Sequence, residues 1–173
     1  GASGVTVVAA LIGVGRDGSA VPNTGDGITV ANSTNPDTGV VTIGRRNRFT
    51  RNSISFNGGD GISLAPGANN DQPAPVLTAV VPGATTAQVS GTLTAAANTT
   101  YTVEVFADAP PMGGTAQGRT FLGTATVTTD ATGAATFTFT VDLPPMDATD
   151  VTATATDPLG NTSEFSVAFP LIV

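Results

Sequence analysis

An all-β protein is the first expectation from this sequence, and three features carry it. Hydrophobic residues make up 40% of the 173 residues, aromatics only 5% and charged residues only 11%. That balance is too apolar for a disordered chain and too weakly charged for an ordinary cytosolic enzyme. Thirty threonines and many valines favour strands, where a branched β-carbon packs well on a pleated surface. The 21 glycines and 12 prolines then cut the chain into short segments.

Along the chain, "GVTVVAALIGVG" (residues 4–15) alternates and is β-branched, which predicts a strand. It has no positive n-region and is a poor signal peptide; an exported protein would have lost its signal already. "GDGITV" (Gly25 to Val30) returns as "GDGISL" (Gly59 to Leu64), and "GVTV" (Gly4 to Val7) is a fainter copy. Two more apolar runs ending in glycine, "LIGVG" (Leu11 to Gly15) and "VTIG" (Val41 to Gly44), lie between them. One such unit cannot bury its own apolar face, so copies must stack. Residues 1–68 are therefore expected to form a short parallel β-helix. In each "GDG" the glycines suit positive φ at a corner and the aspartate caps the turn. Asp26 and Asp60 thus read as structural, since catalysis would need a second carboxylate beside each.

"APGANNDQPAP" (Ala65 to Pro75) breaks the pattern, and residues 69–75 are read as a linker. Beyond it come seven predicted strands: "PVLTAVV", "TAQVSGTLT", "TTYTVEVFA", "TFLGTATVTT", "ATFTFTVDL", "DVTATATD" and "TSEFSVAF". Turns such as "TDATGA" and "TDPLGN" separate them. Seven strands in about 100 residues is the count of an immunoglobulin-like β-sandwich, expected over 76–173. With neither cysteine nor tryptophan, it is not of the antibody type. Tyr101 and Phe106 share a strand at opposite parity, so Phe106 is expected in the core and Tyr101 exposed.

The phrases "VSGTLTAAANTTYTVEVFA", "TFLGTATVTTDATGAATFTF" and "VTATATDPLGNTSEFS" resemble the C-terminal region of secreted bacterial right-handed β-helix repeat proteins. "IGVGRDGSAVPNTGDGITV" and "NRFTRNSISFNGGDGISL" are similar to the final coils of the same proteins. The resemblance covers roughly residues 5 to 168. It implies coils running into a sandwich, and implies nothing about activity.

A formal charge of −7 argues against nucleic acid as a partner. No run of 18 apolar residues is present, so no helical membrane span is expected. The absence of histidine and cysteine removes zinc, haem, iron–sulfur and most nucleophile–base chemistry. No cofactor is expected. Calcium is the one metal with suitable ligands, at Asn69 and Asp71 or at Asp157 and Asn161, and both places also read as plain turns. Asn32, Asn98 and Asn161 each head an N-glycosylation sequon.

"RRNRFTR" gathers four of the six basic residues, Arg45, Arg46, Arg48 and Arg51. It reads either as a contact patch for anionic polysaccharide or another copy, or as a solvated loop paired with Asp26, Asp37 and Asp60. The ends of the chain are apolar and β-prone: Val5, Val7, Val8 and Leu11 near one, Phe169, Leu171, Ile172 and Val173 near the other. An uncapped coil offers unpaired backbone to another chain, and strand addition of that kind builds fibres. The expected function is a non-enzymatic, extracellular or cell-surface structural protein that associates with copies of itself. A polysaccharide-binding or adhesin module of a larger surface protein is the alternative.

Overall fold

Short strands dominate the computed structural model of the chain, which describes residues 1–108 and 117–171. The first run comprises β1 (Thr6–Val8), β2 (Leu11–Ile12) and β3 (Ile28–Val30). A hairpin of β4 (Ser33–Thr34) and β5 (Val41–Thr42) follows. The chain then runs through β6 (Arg48–Thr50), β7 (Ser53–Ile54) and β8 (Ile62–Leu64). Each strand of this second run lies parallel to its counterpart in the first. Val7 sits beside Phe49, Ile12 beside Ile54 and Thr29 beside Ser63.

The two "GDG" units do stack. The N–H of Gly59 donates to the carbonyl of Gly25 at 3.0 Å, and that of Gly27 to the carbonyl of Asp60 at 2.9 Å. The fainter copy at Gly4 to Val7 does not join them, because Val5 and Val7 align with Asn47 to Phe49. "VTIG" does not repeat "LIGVG" either. Val41 and Thr42 fold back on Ser33 and Thr34, around a turn in which Asn35 Oδ1 accepts the N–H groups of Asp37 and Thr38. Each sheet in this half is two strands wide, so no extended solenoid forms among the described residues.

The second half comprises β9 (Val76–Pro82), β10 (Thr86–Thr94), β11 (Thr100–Asp108), β12 (Thr120–Thr128), β13 (Ala134–Asp142), β14 (Asp150–Thr156) and β15 (Phe169–Pro170). They form two sheets, ordered β13–β10–β9 and β12–β11–β14–β15. Alternate residues of both sheets fill one core, with Val89 and Leu93 from one side and Val103, Val105 and Val151 from the other. The last predicted strand is much shorter than expected. Ser163 and Ser166 lie beside β14, but their hydroxyls accept the N–H groups of Ala155 and Ala153, so no regular ladder forms. Only Phe169–Pro170 pairs as a strand.

Tyr101 corrects its expectation. It is 2% exposed, in the core between the sheets, and its hydroxyl accepts the N–H of Ala96 at 3.0 Å. That bond closes the arch where the chain crosses from β10 to β11. Phe106 is buried as expected, on the opposite face of β11, in a second apolar cluster with Phe49, Ile54 and Phe165. Its ring meets those of Phe121 and Phe165 edge-on, with centroids 5.7 and 5.5 Å apart. Each such pair contributes about 0.5–1.5 kcal/mol beyond area burial.

The N-terminal half covers the outer face of β11 and β14. Thr152, Thr154 and Thr156 are buried, as are Glu104 and Asp108. Ser55 donates to Asp108 at 2.7 Å; Thr50 and the N–H of Arg51 donate to Glu104. Ile54 and Gly118 exchange both backbone bonds, at 2.8 and 2.7 Å. The stretch read as a linker is bonded in place at its start. Asn69 lies in a 3-10 turn (Ala68–Asp71), fully buried, and its side-chain amide donates to the carbonyls of Asn47 and Thr162.

Candidate functional site

The arginine-rich turn owes its shape to three asparagines spaced five residues apart. Asn47, Asn52 and Asn57 are all buried, and each follows a left-handed residue: Arg46 (φ 57), Arg51 (φ 52) and Phe56 (φ 62). At each corner the asparagine amide reaches the backbone of the first run. Asn47 Nδ2 donates to Ala2 and Asn52 Nδ2 to Val7, while their Oδ1 atoms accept from Val5 and Ala10. Asn57 Nδ2 reaches Ile12, and its Oδ1 accepts from Asn23. With the asparagines turned inward, the neighbouring arginines are left outside.

Arg45, Arg46, Arg48 and Arg51 are all exposed. The expected pairing with Asp26, Asp37 and Asp60 does not occur; among the described residues the ion pair found is Arg119 with Asp147. The physical reason lies in those carboxylates' surroundings. Asp26 spans the stacked turns, accepting from Thr29 Oγ1 and from the N–H of Asp60, both at 3.0 Å. Asp37 belongs to the hairpin turn. Arg51 instead places its guanidinium 5.4 Å from the centroid of Phe121, a cation–π contact contributing about 0.5–1 kcal/mol at an exposed site.

Arg46 and Arg48 share a cleft of about 300 Å³ with Thr6, Thr102, Thr156 and Asp157. Thr6 is the strand partner of Arg48, and Thr102 is the strand partner of Thr156. The cleft therefore lies where the two halves meet. The N–H of Arg46 donates to Asn161 Oδ1 at 2.6 Å, which ties the arginine turn to the turn carrying Asp157.

The calcium candidates are occupied in other ways. Asn69 Oδ1 accepts the N–H of Asn47, and Asp71 Oδ1 accepts that of Gly67. Asp157 Oδ1 accepts the N–H groups of Leu159 and Asn161, and its Oδ2 accepts from the Asn161 amide. Asp71 and Asp157 do line one cleft, of about 460 Å³, although they lie far apart in the chain. No cluster of three carboxylates occurs among the described residues. Of the sequon asparagines, Asn98 is exposed, Asn32 half-buried and Asn161 buried.

Other carboxylates serve turns and one surface pair. The Thr132 hydroxyl, followed by the N–H groups of Ala134 and Thr132, holds Asp130 below the usual carboxylate range. Ser19 does the same for Asp17, and the Arg119 side chain for Asp147.

The assembly candidates divide. Val5, Val8 and Leu11 are 41%, 55% and 48% exposed, whereas Val7 packs on the second apolar cluster. Val5 and Val7 line an apolar cavity of about 290 Å³ with Ile28, Val30 and Phe49. Phe169 and Leu171 pack against the core between the sheets. Ile172 and Val173 lie outside the described residues.

No protein-family model matches the chain, and no curated protein matches it. Sequence reasoning missed the buried polar residues at the junction, above all Glu104, Asp108 and Gln117. It also missed the asparagine rungs, for which the spacing "RN-RN-FN" at five-residue intervals was a readable signal.

Proposed function

We propose that the chain is a non-enzymatic structural module of an extracellular or cell-surface protein. In this reading, residues 1–68 are two coils of a parallel β-helix seated on an immunoglobulin-like sandwich. The three parallel strand pairs and the asparagine rungs support the first part. The two packed sheets and the tyrosine-closed arch support the second. The lack of histidine, lysine and cysteine supports a role without catalysis.

The module associates with copies of itself through the layer formed by β1, β2 and β3. The carrying observation is that each of these strands is paired along one edge only, with Val5, Val8 and Leu11 exposed beside it. Open backbone over apolar side chains is a template for further pairing. Because Phe169 and Leu171 are used within the sandwich, stacking of coils is favoured over completion by the C-terminal tail.

Light scattering and negative-stain electron microscopy of the purified chain, with Val8→Glu/Leu11→Glu beside it, form the test. Concentration-dependent oligomers or fibres, lost in the double variant without a change in thermal stability, are expected. A monomer at the highest attainable concentration would refute self-association.

A further inference from the structure

We infer that the cleft between the arginine turn and the sandwich binds an acidic polysaccharide, with an anionic sugar substituent seated between Arg46 and Arg48. The inference goes beyond the structural role, because it concerns a ligand and does not require self-association.

The protein is acidic overall, so two arginines that line one cleft and have no carboxylate partner among the described residues call for an explanation. Solvation alone explains an isolated exposed arginine. It explains less well two arginines whose backbone is fixed so that both line one cavity. Arg48 is held in β6, its N–H donating to Val5 at 2.8 Å, and Arg46 is held by Asn161. Fixed backbones reduce the ordering lost when a ligand is gripped. Guanidinium groups offer forked donors that match carboxylate or sulfate oxygens.

The remaining lining suits a sugar. Thr6, Thr102 and Thr156 line the cleft with side chains that carry hydroxyls, and Pro158 and the exposed Leu159 add apolar surface. Asp157 is the one carboxylate in the lining. Three N–H donors already hold its two oxygens, so it acts as the core of a turn and leaves the cleft a net positive charge from Arg46 and Arg48. A cavity of about 300 Å³ is at the small end of ligand sites and fits one or two sugar rings of a longer chain. Nucleic acid is a poorer fit, since the lining carries no aromatic side chain on which a base could stack.

The test is titration calorimetry of the 173-residue chain with polygalacturonate, chondroitin sulfate and neutral dextran. It is run at about 0.15 M salt, where charges beyond about 8 Å are largely screened. Binding to an acidic polymer and none to dextran is expected; preference for chondroitin sulfate, which carries carboxylate as well as sulfate, assigns a role to sulfate, and preference for polygalacturonate makes carboxylate the recognised group. Arg46→Ala and Arg48→Ala should each weaken binding about ten-fold or more, as loss of charge-assisted bonds does. Arg48→Lys keeps the charge but not the fork, so it should recover part of the loss. Arg16→Ala, an exposed arginine outside the cleft, should leave binding unchanged. Equal binding of dextran, equal loss in Arg16→Ala, or no binding to either acidic polymer would overturn the inference. Both arginines are exposed, and unchanged thermal melting of the variants separates loss of contact from loss of fold.

Discussion

Replacing Asn52 by alanine tests whether the asparagine rungs hold the two runs of strands together. Asn52 is 3% exposed; its Oδ1 accepts the N–H of Ala10 at 2.9 Å and its Nδ2 donates to the carbonyl of Val7 at 3.0 Å. Truncation orphans both backbone groups at once. A buried group left without a partner costs about 1–3 kcal/mol. Ala10 and Val7 are half-buried, so water can reach them in part and the lower end applies. The two together give about 2 kcal/mol, and for a chain of this size about 4–8 °C in melting temperature. Asn32→Ala is the contrast. Its amide donates to Pro66 at an exposed position, and its buried Oδ1 has no partner among the described residues, so its removal should be nearly neutral. Urea and thermal unfolding of both variants, followed by two probes to check two-state behaviour, decide the matter. A loss at Asn52 no larger than at Asn32 would refute the rung argument.

Three further predictions concern the sandwich and its junction. At Gly118 an added Cβ would meet the Phe165 ring at 2.7 Å and Phe106 at 2.9 Å, so Gly118→Ala should destabilise by about 1–3 kcal/mol, the usual cost of overpacking, as read by denaturant unfolding. Tyr101→Phe leaves the ring in place and removes the bond to Ala96; a loss of about 1 kcal/mol is expected in the same assay. Asp130, held below its ordinary value of 3.8, contributes stability that is present above that value and lost as pH falls through the lower folded value. Asp130→Asn should therefore flatten the acid limb of a stability–pH curve, and an unchanged limb would remove Asp130 from the account.

How much of this was legible in the sequence depends on whether the signal was local. Six of the seven sandwich strands lie close to where period-two alternation puts them, because core-facing residues such as Val89 and Val103 announce the period within their own segments. The "GDG" units announced their stacking because the same turn is used twice. What alternation cannot say is what covers the second face of a strand. In β11, Tyr101, Val103 and Val105 face one core, while Glu104 and Phe106 face the other half of the molecule. The same holds for the threonines of β14, which the N-terminal half buries. The arginine cluster was visible, but its lack of ion pairs among the described residues was not, since that depends on which turns Asp26 and Asp37 are committed to.

The polar part of the junction fixes a register that its apolar part, Phe106 with Ile54 and Phe165, leaves free. An apolar seam would hold the two halves without fixing their register, because non-directional burial tolerates a slide of one rung. Glu104 with Thr50 and Arg51, Ser55 with Asp108, and Asn57 with Gln117 each depend on a specific match across the junction. A shift of one rung would leave several buried groups unsatisfied together, at about 1–3 kcal/mol each. Gln117 shows the strictness of the match. Its Oε1 accepts from the Asn57 backbone at 3.1 Å and from the Asn57 amide at 3.0 Å, while its Nε2 donates to the carbonyl of Asn57 at 2.9 Å. The same residue, Asn57, carries the rung to Ile12 and Asn23. Asn57 thus belongs both to a rung between the two runs of strands and to the junction with the two sheets, so its side chain couples the register of the strand pairs to the seat of the second half.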